Sequence, residues 1–246
     1  MKLVVDCIYP SFMGEVNKFG IGALCTFVRL HGCNIRCYKK TFGFFCDTPE
    51  ALDAKRYAPE KVKTISEIVD EVAKLGNRIV CLTGGEPLLQ SNTSLLVDTL
   101  SADGYNVVIE TNGTAGITKY CGIKNVSFVV DYKLPSTGEE GKMDTTIWPL
   151  MGENDYLKFV VSDSKDYLHV CKWLELHSNF KGNVAIGSMW EHSFVPQVKL
   201  VDAIRTLAER FPEIKFCMNM QTHKLLTLYD KVAPEVLRDL KIDKRL

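Results

Sequence analysis

The stretch Ile79-Val80-Cys81-Leu82-Thr83-Gly84-Gly85-Glu86-Pro87, followed by an amphipathic segment at 93–100, decides how the rest of the chain is read. A short apolar run, a glycine pair, a proline and then helical spacing describe a strand that turns into a helix, one β/α unit. Glycines lacking Cβ let backbone approach a ligand closely. Parallel α/β sheets collect ligands at the C-terminal ends of their strands, which is where this pair stands. The N–H and C=O groups there suit an amino-acid head group. Alone, a plain turn would explain the pair as well.

Reading outward, the alternation repeats. Strands are expected at 3–8, 24–30, 79–82, 106–109, 126–130, 157–161, 184–186 and 215–218. Helical patterns fall at 65–75, 93–100, 165–176, 198–210 and 234–240. Thr64-Ile65-Ser66-Glu67 is a capping-box signature, and Gly76 suits the stop of that helix. Segments 33–59 and 133–155, rich in Gly, Pro and charge, read as irregular. Long irregular segments in compact domains are mostly functional. The pattern is an α/β fold with a mostly parallel sheet, one domain over 1–246, with a cluster loop at about 31–59 and a C-terminal extension at about 226–246.

The chain has 246 residues, 30 Lys+Arg against 30 Asp+Glu, and 46% hydrophobic residues. This composition excludes disordered and fibrous classes, and zero net charge argues against a protein that coats nucleic acid. No apolar run reaches the roughly 18 residues of a membrane span. The opening Met1-Lys2-Leu3-Val4-Val5-Asp6 puts an acid where a signal peptide stays apolar, so a cytoplasmic protein is expected. The nine cysteines are an odd count that reads as reduced thiols. Most stand scattered in apolar runs, as small hydrophobes do.

Cys33, Cys37 and Cys46 are different. They lie in Gly32-Cys33-Asn34-Ile35-Arg36-Cys37 and Cys46-Asp47-Thr48, soon after the strand at 24–30. Three thiolates on one loop suit zinc or an iron–sulfur centre. A closed structural zinc site takes four ligands, so three leave a coordination position for chemistry. Three unrelated thiols, or a zinc site completed by His31, remain open on these residues alone. Further polar clusters follow other strands: Glu110-Thr111-Asn112-Gly113-Thr114, Asp131-Tyr132-Lys133 and Gln221-Thr222-His223-Lys224. Together they load one face of a sheet or barrel with polar groups, which is how an active site is built on this architecture.

Cys33-x₃-Cys37 with a third cysteine, taken with Gly84-Gly85-Glu86-Pro87, resembles the radical S-adenosylmethionine (SAM) superfamily. Within it the chain resembles the 7-carboxy-7-deazaguanine synthase family over about residues 9–225. The carriers are Pro10-Ser11-Phe12-Met13-Gly14-Glu15, Phe27-Val28-Arg29, Gly32-Cys33-Asn34, Cys46-Asp47-Thr48, Thr83-Gly84-Gly85-Glu86-Pro87, Glu110-Thr111-Asn112-Gly113, Leu157-Lys158-Phe159-Val160-Val161 and Gln221-Thr222-His223-Lys224.

The resemblance implies a shortened, partly open (β/α) barrel. It implies that Cys33, Cys37 and Cys46 hold a [4Fe–4S] cluster whose fourth iron takes the amino and carboxylate groups of SAM. Reductive cleavage of SAM then gives a 5′-deoxyadenosyl radical, which abstracts hydrogen from 6-carboxy-5,6,7,8-tetrahydropterin. Ring contraction and loss of ammonia yield 7-carboxy-7-deazaguanine, on the way to queuosine and other 7-deazapurines. By the same resemblance Phe45 stacks on adenine, and Asp47, Gly85, Glu110, Asp131, Tyr132, Lys133 and Ser162 complete the SAM side. Phe12, Met13, Gly14, Glu15, Arg29, Thr83, Gln221 and His223 face the pterin, and Thr48 offers its hydroxyl to Mg²⁺. An electron donor such as flavodoxin or ferredoxin and a homodimer are implied; nucleic acid and membrane partners are not.

Three positions depart from the family. Eight residues, Tyr38 to Phe45, separate the second and third cysteines where two are usual. Met13 replaces a Gln, and Asp131-Tyr132-Lys133 replaces Ser-Pro-Lys. The rival readings are a radical SAM activase that installs a glycyl radical on a partner and, from another class, a zinc-stabilised binding module for RNA.

Overall fold

The computed structural model describes residues 1–43, 46–190, 196–222 and 224. Its elements are β1 (Lys2–Phe12), β2 (Leu24–Leu30), β3 (Val62–Thr64), α1 (Ile65–Leu75), β4 (Ile79–Gly84), α2 (Thr93–Ala102), β5 (Asn106–Thr111), β6 (Val126–Tyr132), β7 (Tyr156–Val161), α3 (Ser164–Leu176), β8 (Asn183–Ser188), α4 (Gln197–Arg210) and β9 (Lys215–Met218). The strands form one sheet in the order β3-β1-β2-β4-β5-β6-β7-β8-β9. β1 runs antiparallel to β2 and β3; from β2 onward every pairing is parallel.

The sheet is an open barrel whose rim nevertheless meets. Val16 N–H donates to Asn219 Oδ1 at 3.1 Å, beyond β1 and β9 respectively. The N–H and hydroxyl of Thr222 both donate to the Gly14 carbonyl, each at 3.0 Å. This is the shortened, partly open (β/α) barrel that the family resemblance implies.

Local chemistry sets the helices. Thr64 and Glu67 form the expected reciprocal capping box on α1, and Gly76 ends it at φ 73°. Asp163 caps α3 by accepting from the N–H groups of Lys165 and Asp166. Successive strand residues point to opposite faces. Leu82, Ile109 and Val130 therefore face outward into the core shared with the helices, where Ile68, Leu96, Leu174 and Leu200 meet them. Their neighbours Cys81, Val108 and Val129 face inward and form a small apolar floor with Met13 and Cys25. Cys121, by contrast, is exposed.

The strands run further than the apolar runs suggest. β4 reaches Gly84, β5 reaches Thr111 and β6 reaches Tyr132, because the parallel ladders continue through Leu30↔Gly84, Thr111↔Val130 and Tyr132↔Phe159. β1 extends through Pro10 to Phe12; β3 pairs only with Lys2 to Val4, so Pro10 has a neighbour strand on one side only. The short edge strand β3 is not expected from the sequence. The irregular segments contain single 3₁₀ turns, among them Pro49–Ala51 and Pro135–Thr137. The helix expected at 234–240 lies outside the described residues.

Candidate active site

Above the apolar floor the inner face opens into a cavity of about 370 Å³. The strands supply its wall by alternation: Tyr9 and Ser11, Phe27 and Arg29, Thr83, Glu110, Asp131, and Lys158 with Val160. Thr83, Glu110 and Asp131 are thus strand residues, and the pleat aims them inward.

The glycine pair is a close-packing device. Gly84 has φ 157°, and a Cβ there would stand 2.2 Å from the Leu30 carbonyl oxygen. A Cβ on Gly85 would stand 2.5 Å from the Gly32 oxygen and 2.6 Å from that of Ala51. Gly85 N–H donates to Leu30 O at 3.1 Å and Glu86 N–H to Gly32 O at 2.8 Å. The N–H groups of Gly85 and Glu86 therefore hold the start of the cysteine loop rather than standing free for a ligand. Glu86 is fully buried and accepts from Leu88 N–H (3.0 Å), the Thr111 hydroxyl (2.8 Å) and Asn112 N–H (2.7 Å). Burial raises its carboxyl above the usual range against these bonds.

Cys33, Cys37 and Cys46 all line the cavity and none forms a disulfide. Their loop is docked by Arg36 N–H on Glu139 Oε1 (2.8 Å), Tyr38 N–H on Thr137 O (2.8 Å) and the Thr41 hydroxyl on Ser136 O (2.6 Å). Asn112 Nδ2 donates to Cys33 Sγ at 3.7 Å, and Thr48 N–H to Cys46 Sγ at 3.4 Å. Burial pushes the Cys37 and Cys46 thiols up, so a metal must deprotonate them on binding. Three soft donors with hydrogen bonds to sulfur fit a [4Fe–4S] cluster, in which each thiolate takes its own iron.

A chain of charges crosses the wall. Lys158 pairs with Glu15 and, at 3.1 Å, with Asp131; Asp131 also pairs with Lys133 at 3.1 Å. Gln221 Nε2 donates to Glu15 Oε1 at 2.8 Å. Burial alone would raise Glu15 and Asp131, but Lys158 beside Glu15, and Lys133 with Lys158 beside Asp131, hold both below the usual carboxylate range. Glu110 is raised, by burial first and then by the Glu15 charge. Arg29 donates to the Thr48 hydroxyl at 3.2 Å and to Tyr9 Oη at 3.3 Å, and Thr48 donates to Asp47 at 3.1 Å.

Most of the expected site residues meet here: Cys33, Cys37, Cys46, Asp47, Thr48, Gly85, Glu110, Asp131 and Lys133, with Phe12, Gly14, Glu15, Arg29, Thr83 and Gln221. Three do not. Met13 is fully buried in the apolar floor. Tyr132, next to the inward Asp131, must face outward; it packs on Trp148, Phe159 and Trp173 and its hydroxyl meets His169 Nε2 at 3.2 Å. Ser162 is fully buried and gives its hydroxyl to Asp166 at 2.8 Å. Phe45 and His223 lie outside the described residues. Lys158, Asn112 and Tyr38 line the cavity although the sequence reading assigned them no role. A lone charge inside the apolar run Leu157-Lys158-Phe159 was the signal for Lys158.

Fold and thiol-lined cavity define a radical SAM enzyme, and the profile described as "Radical SAM superfamily" matches residues 27–133. That class carries SAM and a [4Fe–4S] cluster as cofactors. SuiB of Streptococcus suis, solved bound to S-adenosylmethionine, superposes with a TM-score of 0.53 at 10% identity, over 76% of this chain and 45% of SuiB, a likeness of fold alone. The protein named 7-carboxy-7-deazaguanine synthase in Clostridium acetobutylicum is 38% identical over 165 residues, 64% of this chain and 68% of that protein. Its namesake in Leptospira interrogans is 33% identical over 196 residues (72% and 78%), and that in Thermoplasma acidophilum 29% over 226 residues (91% and 97%). The chain belongs to the 7-carboxy-7-deazaguanine synthase family. This membership displaces the zinc-module reading.

Proposed function

We propose that the protein converts 6-carboxy-5,6,7,8-tetrahydropterin to 7-carboxy-7-deazaguanine and ammonia. The observation that carries this reading is the convergence, in one cavity, of three thiols from one loop with Arg29, Glu15 and Gln221. A cluster on Cys33, Cys37 and Cys46 supplies, when bound, the electron that cleaves SAM and starts the radical rearrangement. The chain's own residues do the rest. The Arg29 fork takes the substrate carboxylate, its aim set by Thr48 and Tyr9. The Thr48 hydroxyl with Asp47 beside it offers hard oxygens to Mg²⁺, which would share that carboxylate. Glu15, kept ionised by Lys158 and braced by Gln221, accepts from the N–H edge of the pterin. On the SAM side Glu110 faces the ribose, and Asp131 with Lys133 the amino-acid end.

The test is oxygen-free reconstitution followed by assay with SAM, a reductant and the carboxytetrahydropterin. Pterin-dependent release of ammonia and the deazapurine is expected. SAM cleavage that ignores the pterin and requires a partner protein would favour the glycyl-radical activase instead.

A further inference from the structure

Lys158 stands within β7 with its side chain only 10% exposed, and its ammonium touches two carboxylates at once, Glu15 and Asp131. These come from different elements of the barrel. Glu15 follows β1 and is held at its other oxygen by Gln221, at the meeting rim. Asp131 lies on β6 and is held at its other oxygen by Lys133, which lines the cavity together with the three cysteines. A ligand that donates to Glu15 loosens its hold on Lys158; Lys158 then draws more on Asp131, and Asp131 releases Lys133 to the carboxylate of a second ligand. In a buried site this exchange is weakly screened.

We propose that Lys158 is a positioning residue that couples the two halves of the site, so that SAM and the pterin tighten each other's binding through it. The inference rests on the function proposed above. Its test is equilibrium titration of SAM into the reconstituted protein, without oxygen or reductant, with and without the carboxytetrahydropterin. No turnover occurs under these conditions. In the wild type the pterin should tighten SAM by about fivefold or more, within the usual range of coupling between sites, and SAM should tighten the pterin by the same factor. In Lys158→Met the pterin should bind more weakly, because Glu15 loses its ion-pair partner, and the ratio should fall below about twofold. Lys158→Met that keeps the wild-type ratio overturns the proposal, and so does a wild type that binds both ligands independently. Should Lys158→Met not fold, Asp131→Asn cuts one arm of the bridge, and an unchanged ratio there is equally fatal. A wild type that does not bind the pterin sinks the functional reading and this inference together; binding without coupling sinks this inference alone.

Discussion

Asp131 and Tyr132 are neighbours in β6, and Lys158 and Phe159 are neighbours in β7, yet the sheet divides each pair. The outer members, Tyr132 and Phe159, pack tilted against one another and edge-on to Trp173, with ring centroids 5.2 Å and 5.6 Å apart for the Phe159 contacts. The inner members form an ion pair at 3.1 Å in a cavity wall. Shape organises the outer wall, where volume-conserving changes are tolerated. Charge organises the inner wall, where desolvation costs more than an apolar replacement would. An apolar wall would hold the fold at least as well, and the ligands are what give this one its use.

The sharpest way to break the inner wall is at its thiols. Cys37→Ser should bring activity to background and lose the iron and sulfide retained after oxygen-free reconstitution; full metal content would take Cys37 out of the ligand set. On the outer wall, Phe159→Ala should cost about 3–5 kcal/mol in urea unfolding, as for other fully buried aromatics, while SAM affinity of the folded fraction stays unchanged. Returning inward, Arg29→Lys keeps the charge and loses the fork. It should lower kcat/KM for the pterin by the worth of a charged hydrogen bond, about 1.5–3 kcal/mol or roughly 10- to 150-fold, with the melting temperature little changed.

The smallest effect concerns acid. Asp131 sits below its ordinary value of 3.8, because Lys133 and Lys158 outweigh its burial. A depressed carboxyl contributes stability above that value and loses it as pH falls through the folded one, below about pH 4. Asp131→Asn should therefore flatten the acid limb of stability against pH in chemical denaturation. An unaltered limb would show that the pair adds nothing to the wall.

How the sequence and the structure compare follows from the same division. The apolar β-branched runs and the Thr64–Glu67 box were legible because each signals through its own residues. β3 was not, because three half-buried residues at an edge carry no period. The thiols were legible as three cysteines on one loop and Glu110 as a polar group at a strand end, whereas Glu15 and Arg29 came from the family resemblance. Tyr132 was misplaced because the family motif was followed where strand alternation already forbids two neighbours from sharing a face. Ser162 was misplaced for a tertiary reason, since the Asp166 that claims it sits on α3. Met13 follows β1, and its burial depends on Cys25, Cys81, Val108 and Val129, from four other strands.

The clasp between Val16 and Asn219 joins residues 203 apart, and that between Gly14 and Thr222 spans 208. A polypeptide emerging from the ribosome can thus mount its sulfur ligands and glycine turn long before it owns the doorpost that braces Glu15. Until that last piece arrives, a half-made molecule has no finished chamber in which both guests can be seated.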